Sequence, residues 1–334
     1  MELYIDFGKS WVDGGVSGRE DDNDLLEKAR SGIYQNTYEN RKLNRVGQKY
    51  GNVSKEDGEK QEGGLDFSKY IDEIDAQSDF DGLQQTLEKT FKDILGREIP
   101  IQINKEKDGS GKEIIDIDSI KHHSKQLVIM YQKYPHQYHQ YPLKKIVFGS
   151  TKKGLNKALE NYGSVETRWF NTDGDELDIE RDISGFRDRD QWSIGNVLQL
   201  NKIDIGGVNI AVKTGWWANC TEENYGKLSA THEFGHLVFQ TDDYDGKMNE
   251  NERIQKYYDG INNIYGDYVL DMESYIMGED IDEDKFQNIS KYANKGGIEE
   301  FHAECFSEWE NYPKTKKMYV LKVKELFEII FKNN

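Results

Sequence analysis

Segment 229–239 has the residue types and spacing of a metal-dependent hydrolase. His232 and His236 lie four positions apart, so on a helix both imidazoles share one face and can bind one metal ion. Glu233 lies beside the coordination position that a catalytic zinc site leaves open for water. Zinc lowers the pKa of that water, and a neighbouring glutamate can then take its proton. The pattern H-E-x-x-H therefore predicts a zinc hydrolase, and a chance match on an amphipathic helix is the less favoured alternative.

Two histidines leave such a zinc ion one protein ligand short, and segment 298–306 can supply the third. On a helix Glu300 and Glu304 share a face, so Glu300 can bind the metal while Glu304 accepts the outer ring N–H of a ligand histidine. A third histidine at the H-E-x-x-H-x-x-G-x-x-H spacing is absent, because those positions hold Phe239 and Asp242. Two glutamates in so acidic a chain are by themselves more often a solvated face. The metal's need for a third ligand favours Glu300.

The composition limits the classes of partner. The chain of 334 residues has 62 acidic and 44 basic residues and a formal net charge of −18, which disfavours binding to nucleic acid or anionic membranes. Cys220 and Cys305 are too few for a disulfide scaffold, although one bridge between them is left open. The N-terminus has no signal-peptide pattern, and no stretch approaches a membrane span of roughly 20 apolar residues. We expect a protein that is soluble and cytoplasmic when made, with virion association or leaderless export left open.

The chain divides by composition into two parts. Residues 1–80 are predicted to form a polar, acidic extension, because segments such as 20–24 and 56–64 bury too little apolar surface to offset the entropy of ordering. This extension is expected to be partly disordered or to bind an assembly partner. Residues 81–334 are predicted to form the compact domain that holds the metal site.

Hydrophobic periodicity predicts the elements that position the site. Helical spacing from Leu83 to Leu95, followed by Gly96, predicts a helix, and the alternation of Ile99, Ile101 and Ile103 predicts a strand. Further helices are predicted within 114–134 and 155–162, and further strands within 145–149, 165–169 and 196–202. The chain after position 242 is predicted to be mainly helical. Its last helix is predicted to be amphipathic, with an apolar face formed by Leu321, Leu326, Ile329, Ile330 and Phe331.

Segment 208–213 is predicted to be one more strand, joined to the strand at 196–202 by a glycine turn at 205–207. Because it precedes the His232 helix, its part from Val208 to Val212 is the predicted edge strand that would bind an extended peptide by backbone hydrogen bonds.

The motif H-E-F-G-H at 232–236 and the segment E-F-H-A-E-C-F at 300–306, with Tyr292 upstream, resemble the catalytic domain of the anthrax lethal factor family. They also resemble the related zincin domains of phage minor head proteins. The resemblance implies that His232, His236 and Glu300 bind zinc, that Glu233 is the general base and that Tyr292 stabilises the oxyanion. Tyr292 lies eight residues before Glu300, whereas the family spacing is seven.

The resemblance covers roughly residues 145–334 and implies an α+β, zincin-like fold. Such a fold has a small mixed β-sheet, an active-site H-E-x-x-H helix and a helical C-terminal subdomain. The expected activity is that of a gluzincin-type zinc endopeptidase with Zn²⁺ as cofactor and a protein or peptide as substrate. Two alternatives remain: a phage structural or interaction protein whose zinc domain is not catalytic, and a toxin or effector protease delivered into another cell.

Other polar motifs are weaker. The acidic segments 241–252 and 171–175 resemble fragments of calcium-binding loops, but acidic turns are common in a chain this acidic. The histidines outside the motif at 122, 123, 136 and 139 are interpreted as loop surface and are given no function. Trp216 and Trp217 can line a substrate pocket or pack in the core.

Overall fold

The computed structural model describes residues 65–105, 114–139, 141–149, 163–171, 174, 176–177, 192–241, 252–277 and 288–332. The helices are α1 (Phe67–Asp75), α2 (Phe80–Leu95), α3 (Ile117–Lys133), α4 (Ile205–Lys213), α5 (Leu228–Val238), α6 (Glu252–Met277), α7 (Lys291–Asn311) and α8 (Met318–Phe327). The strands are β1 (Ile101–Ile103), β2 (Leu143–Phe148), β3 (Gly163–Asn171) and β4 (Trp192–Leu200). The predicted helix at 155–162, the acidic loop at 242–251 and most of the acidic segment at 171–175 lie outside the described residues.

The four strands form one mixed sheet in the order β1-β2-β4-β3. The pairs β1–β2 and β2–β4 are parallel, whereas β3 is antiparallel to β4 and lies at the edge. Helix α2 packs against β1, and α5 packs against β3 and β4. The chain therefore has a mixed α+β architecture with a small mixed sheet, as the sequence predicts.

Local sequence explains why these elements form where they do. In α2 the side chain of Asp79 accepts a hydrogen bond from the backbone N–H of Gly82, and this caps the first turn. Leu83, Leu87 and Phe91 are buried along one side of that helix. Gly96 follows in the left-handed conformation, with φ of 67°, which favours glycine and ends the helix. This confirms the helix predicted at 83–95, and β1 to β4 confirm the strands predicted around 101, 147, 167 and 199.

The predicted strand at 208–213 is wrong, because this segment is helix α4 and the expected glycine hairpin does not form. Its alternation of β-branched residues suggested a strand, but burial follows the helical period: Val208 and Ala211 are buried three positions apart. Val208 packs with Cys220, Tyr225 and Leu228 in a small cluster. Tertiary packing thus overrides the local β propensity.

The C-terminal part is helical, as predicted. In α8 the buried residues are Tyr319, Val320, Val323 and Phe327, whereas Leu321 is 44% exposed. Of the residues expected on the apolar face, Leu326, Ile330 and Phe331 pack against the core, whereas Leu321 and Ile329 are exposed. None of the helices among the described residues is long and apolar enough to span a membrane.

Helix α1 lies within the segment that the sequence assigns to the N-terminal extension. It contacts α3 and buries Tyr70 and Ile74, and the side chain of Asp66 caps its first turn. Ordered packing therefore begins before residue 80.

Candidate metal centre

Helices α5 and α7 pack almost backbone to backbone, and this contact brings the candidate ligands together. A Cβ atom added to Gly235 would lie 2.9 Å from the Cα of Ala303 and 3.2 Å from the Cβ of Phe306. Ordinary carbon–carbon contacts are about 3.5–4.0 Å, so only glycine fits at this position without displacing α7. The glycine of H-E-F-G-H thus has a packing role beside the two histidines.

Three ligand atoms converge at the start of this contact. Oε2 of Glu300 lies 3.1 Å from Nε2 of His232 and 3.3 Å from Nε2 of His236, and the two Nε2 atoms are 3.2 Å apart. A tetrahedral zinc ion with bonds of about 2.0–2.1 Å has ligand–ligand edges of about 3.3–3.4 Å. The three separations are close to these edges, so the donor set and its spacing fit zinc.

Glu304 orients the first histidine. Its Oε1 lies 2.8 Å from Nδ1 of His232, while its Oε2 accepts the backbone N–H of Ala218 at 2.6 Å. Because a carboxylate accepts hydrogen bonds, Nδ1 carries the proton, and the lone pair of a neutral imidazole then lies on Nε2, towards Glu300. Such a carboxylate–histidine contact fixes the tautomer of a metal ligand.

His232, His236 and Glu300 shift one another's pKa values. Burial opposes charge on His232, but the carboxylates of Glu300 and Glu304 raise its pKa well above 6.5. Burial likewise opposes charge on His236, and Glu300 raises its pKa as well. Burial works against ionisation of Glu300, yet the two imidazoles lower its pKa. A proton or a metal ion can satisfy this arrangement, and the two compete for the same nitrogen atoms.

Glu233 lies on the same helix and is 7% exposed. Burial raises its pKa, and the two neighbouring histidines oppose that shift. The first residue of β3 approaches it closely, because a Cβ added to Gly163 would lie 2.6 Å from the Cγ and 2.8 Å from the Oε1 of Glu233. The edge strand beside the site is therefore β3, which corrects the prediction that Val208 to Val212 would provide it.

Tyr292 reaches the site because α7 is interrupted. Gly297 has non-helical torsions, with φ of 81° and ψ of −163°, and divides α7 into two parts. On an unbroken helix, eight residues turn through about 800°, which would leave Tyr292 roughly 80° away from the face of Glu300. With the break, the Tyr292 ring centroid lies 5.7 Å from that of His232. The Tyr292 side chain is 37% exposed, and partial desolvation together with the negative charge of Glu300 raises its pKa.

The two neighbouring glutamates of α7 have different partners. Glu299 accepts hydrogen bonds from the backbone N–H and the hydroxyl of Thr241, at 2.5 and 2.6 Å, so it anchors the chain after α5. Glu300 instead faces the two histidines. Within the described part of the chain, His232, His236 and Glu300 form the group of three potential ligands whose donor atoms lie within 4.8 Å of one another.

The interpretation of the other histidines as loop surface is wrong for three of them. His122 and His123 lie on α3, and His123 is buried with its Nε2 2.7 Å from the carbonyl oxygen of Asn201. His139 is buried and packs against the ring of Phe234. Burial lowers the pKa of His123 to about 4 and that of His139 to about 3. Neither belongs to the ligand group.

Gly163 and Gly297 support the site, yet the sequence does not single them out. Gly163 and Gly297 carry their own signals, a glycine at the start of a strand and a glycine pair inside a helical pattern, but these do not reveal which side chain they approach.

Trp216 is partly buried, and the ammonium groups of Lys291 and Lys295 lie 5.8 and 4.9 Å from its ring centroid. Cys220 and Cys305 are both buried as free thiols, so the bridge left open above does not form.

Comparisons with known proteins add no relative. No family model matches the chain, and neither the curated proteins nor the solved structures include a significant match.

Proposed function

We propose that the chain is a zinc-dependent peptide hydrolase of the gluzincin type with a zincin-like fold. The observation that carries this proposal is the convergence of His232, His236 and Glu300 at separations of 3.1–3.3 Å, with the buried carboxylate of Glu233 next to them on α5. Two imidazoles and one carboxylate are the ligands of catalytic zinc sites that leave a coordination position open.

Each residue of the site has a role in this proposal. His232, His236 and Glu300 would hold zinc, which when bound polarises a carbonyl group and acidifies water. Glu233 takes the proton of the attacking water and passes it to the leaving amine, and its raised pKa suits both steps. The phenol of Tyr292 stays protonated because its pKa is raised, so it can donate a hydrogen bond to the developing oxyanion.

The edge of the sheet supports a peptide as the substrate. The first residue of β3, Gly163, lies against Glu233, and β3 pairs with β4 along one edge only. At its far end Phe170 forms an isolated bridge with Glu176, whereas no strand of the described residues pairs with the outer edge nearer to Gly163. An extended peptide can add to such an edge by backbone hydrogen bonds, which would place its carbonyl groups next to the general base.

The test combines metal analysis with proteolysis by the Glu233→Gln variant. We expect the wild type to bind about one zinc ion per chain and to cleave a peptide library, as zinc sites of this type do. The Glu233→Gln variant should bind zinc equally well and lose cleavage by about 100-fold or more, because the general base is gone.

Two results would count against the proposal. Unchanged cleavage by the variant would show that Glu233 is not the base. Zinc binding without cleavage by the wild type would favour the structural role that the resemblance to phage proteins leaves open.

A further inference from the structure

The first part of α7, which carries Tyr292, needs support from outside its own helix. Gly297 interrupts the helix between Tyr292 and Glu300, with φ of 81°. The interruption breaks the ladder of backbone hydrogen bonds that would otherwise fix Tyr292 relative to Glu300. The position of the Tyr292 hydroxyl must depend on contacts with neighbouring segments.

Those contacts come from the segment 215–219. The backbone N–H of Lys291 donates to the carbonyl oxygen of Gly215 at 2.8 Å, and that of Tyr292 donates to the carbonyl oxygen of Trp216 at 3.0 Å. The other end of the same segment is bound to the second part of α7. There the backbone N–H of Asn219 donates to Oε2 of Glu308 at 3.0 Å.

A buried ion pair connects these contacts. Nζ of Lys317, the residue just before α8, lies 2.8 Å from Oε2 of Glu308 and donates to the carbonyl oxygen of Ile289 at 2.7 Å. Lys317 is 8% exposed and Glu308 is fully buried. Ile289 is three residues before Tyr292. The ammonium group thus connects Glu308, which binds the 215–219 segment, to the chain that leads into Tyr292.

The remaining oxygen of Glu308 is also bound, by the hydroxyl of Thr315 at 2.6 Å. The carboxylate therefore accepts hydrogen bonds from a backbone amide, a hydroxyl and an ammonium group, which are the partners that a buried charge requires. A buried ion pair is by itself weak evidence for stability, since apolar residues of similar volume often serve as well. Here the pair fixes two backbone segments at once, one at Asn219 and one at Ile289.

We propose that Lys317 and Glu308 are positioning residues that hold Tyr292 at the metal site, an inference that rests on the proposed function of Tyr292. The hydrogen bonds and the ion pair of Lys317 and Glu308 join them to Asn219, Thr315, Ile289 and each other, and none of these bonds reaches the two histidines or Glu233. We assign the pair a role in the chemical step. Ala218 of the same segment donates to Glu304, which orients His232, so zinc affinity is measured alongside kcat.

The first measurement does not depend on activity. Hydrogen–deuterium exchange of the full-length protein, with and without zinc, reports on the backbone amides of Lys291 and Tyr292. Lys317→Met should speed their exchange by about tenfold or more, because local opening of this segment becomes easier. The amides of α5 should not change. Lys133→Met is the matched control, since Lys133 also binds a glutamate of α7, Glu310, with Nζ to Oε2 at 2.6 Å.

The second measurement is kinetic. Lys317→Met should lower kcat by about tenfold and leave zinc affinity and KM within about twofold, because a misplaced oxyanion donor affects the transition state. In a Tyr292→Phe background the same substitution should change kcat by less than about twofold, since the hydroxyl that it positions is already absent. Lys317→Arg, which keeps a charged donor, should recover part of the loss.

A double variant separates the loss of positioning from a failure to fold. Removing only Lys317 leaves a buried carboxylate without its cation, so Glu308→Gln/Lys317→Met, which removes both charges, should fold more readily. A cooperative thermal transition by circular dichroism establishes that each variant is folded. Unchanged exchange at Lys291 and Tyr292 in the folded double variant would overturn the proposal, as would a kcat loss that adds fully to that of Tyr292→Phe. If no variant or wild type cleaves peptides, the proposed function fails while the exchange result still decides the positioning role.

Discussion

We expect the contact between Gly235 and Ala303 to set how closely Glu300 approaches the two histidines, and a single added methyl group tests this. In Gly235→Ala the new Cβ would lie 2.9 Å from the Cα of Ala303. Relief to an ordinary contact of about 3.5–4.0 Å requires α5 and α7 to separate locally by about 0.6–1.1 Å. Glu300 precedes Ala303 by about one helical turn, so the shift reaches it nearly undiminished.

That displacement is large for a metal site and moderate for a helix interface. Ligand distances in zinc sites are held within about 0.2 Å, so a shift several times larger should lower zinc affinity by about 10–100-fold. Overpacking of a core costs about 1–3 kcal/mol, and each kcal/mol lowers Tm by about 2–4 °C in a domain of this size. Zinc affinity is measured by competition with a chromophoric chelator and Tm by circular dichroism of the zinc-free protein.

Gly266→Ala is the matched control. Gly266 lies within α6, and nothing lies within 4 Å of a Cβ added there. Alanine should therefore stabilise this helix by about 0.5–1 kcal/mol and leave zinc affinity unchanged. If Gly235→Ala bound zinc as tightly as Gly266→Ala and melted no lower, the close helix contact would not be what sets the ligand geometry.

Two further predictions follow from the geometry of the site. The raised pKa values of His232 and His236 mean that their protonated forms stabilise the metal-free fold fully below about pH 6.5, and that this contribution is lost as pH rises through the raised values. The Tm increase caused by zinc should therefore grow from about pH 6 to pH 9, and a constant increase would contradict the coupling. In Gly163→Ala the new Cβ would lie 2.6 Å from the Cγ of Glu233, so kcat should fall by about 10–100-fold while zinc binding persists. Equal losses of zinc affinity and kcat would show a general distortion instead.

The sequence predicts the parts of the site that depend on local periodicity. His232, Glu233 and His236 share a helix, so their spacing alone places them together. Glu300 and Glu304 are also one turn apart, and the need for a third ligand selects a segment about sixty residues away whose Glu300 lies beside the two histidines. The helices and most strands follow in the same way from apolar residues at periods of 3.6 and 2.

What could not be predicted depends on contacts between distant segments. The segment at 208–213 satisfies both periods, and only its packing against Tyr225 and Leu228 decides for a helix. The approach of Gly163 to Glu233 depends on how β3 pairs with β4, because a change of register by one residue would turn every side chain of the strand to the other face.

The position of Tyr292 follows from its spacing in the sequence together with the break in α7. Counted on a continuous helix, the spacing of eight residues argues against a role for Tyr292, since it leaves the side chain about 80° from the face of Glu300. The break at Gly297 removes that objection, but it also removes the helix as the support of the tyrosine. In the proposed site, contacts outside the helix must therefore replace the rigidity that the break removes. The hydrogen bonds that the carbonyl oxygens of Gly215 and Trp216 accept, and the one that the buried Lys317 donates to Ile289, supply that replacement.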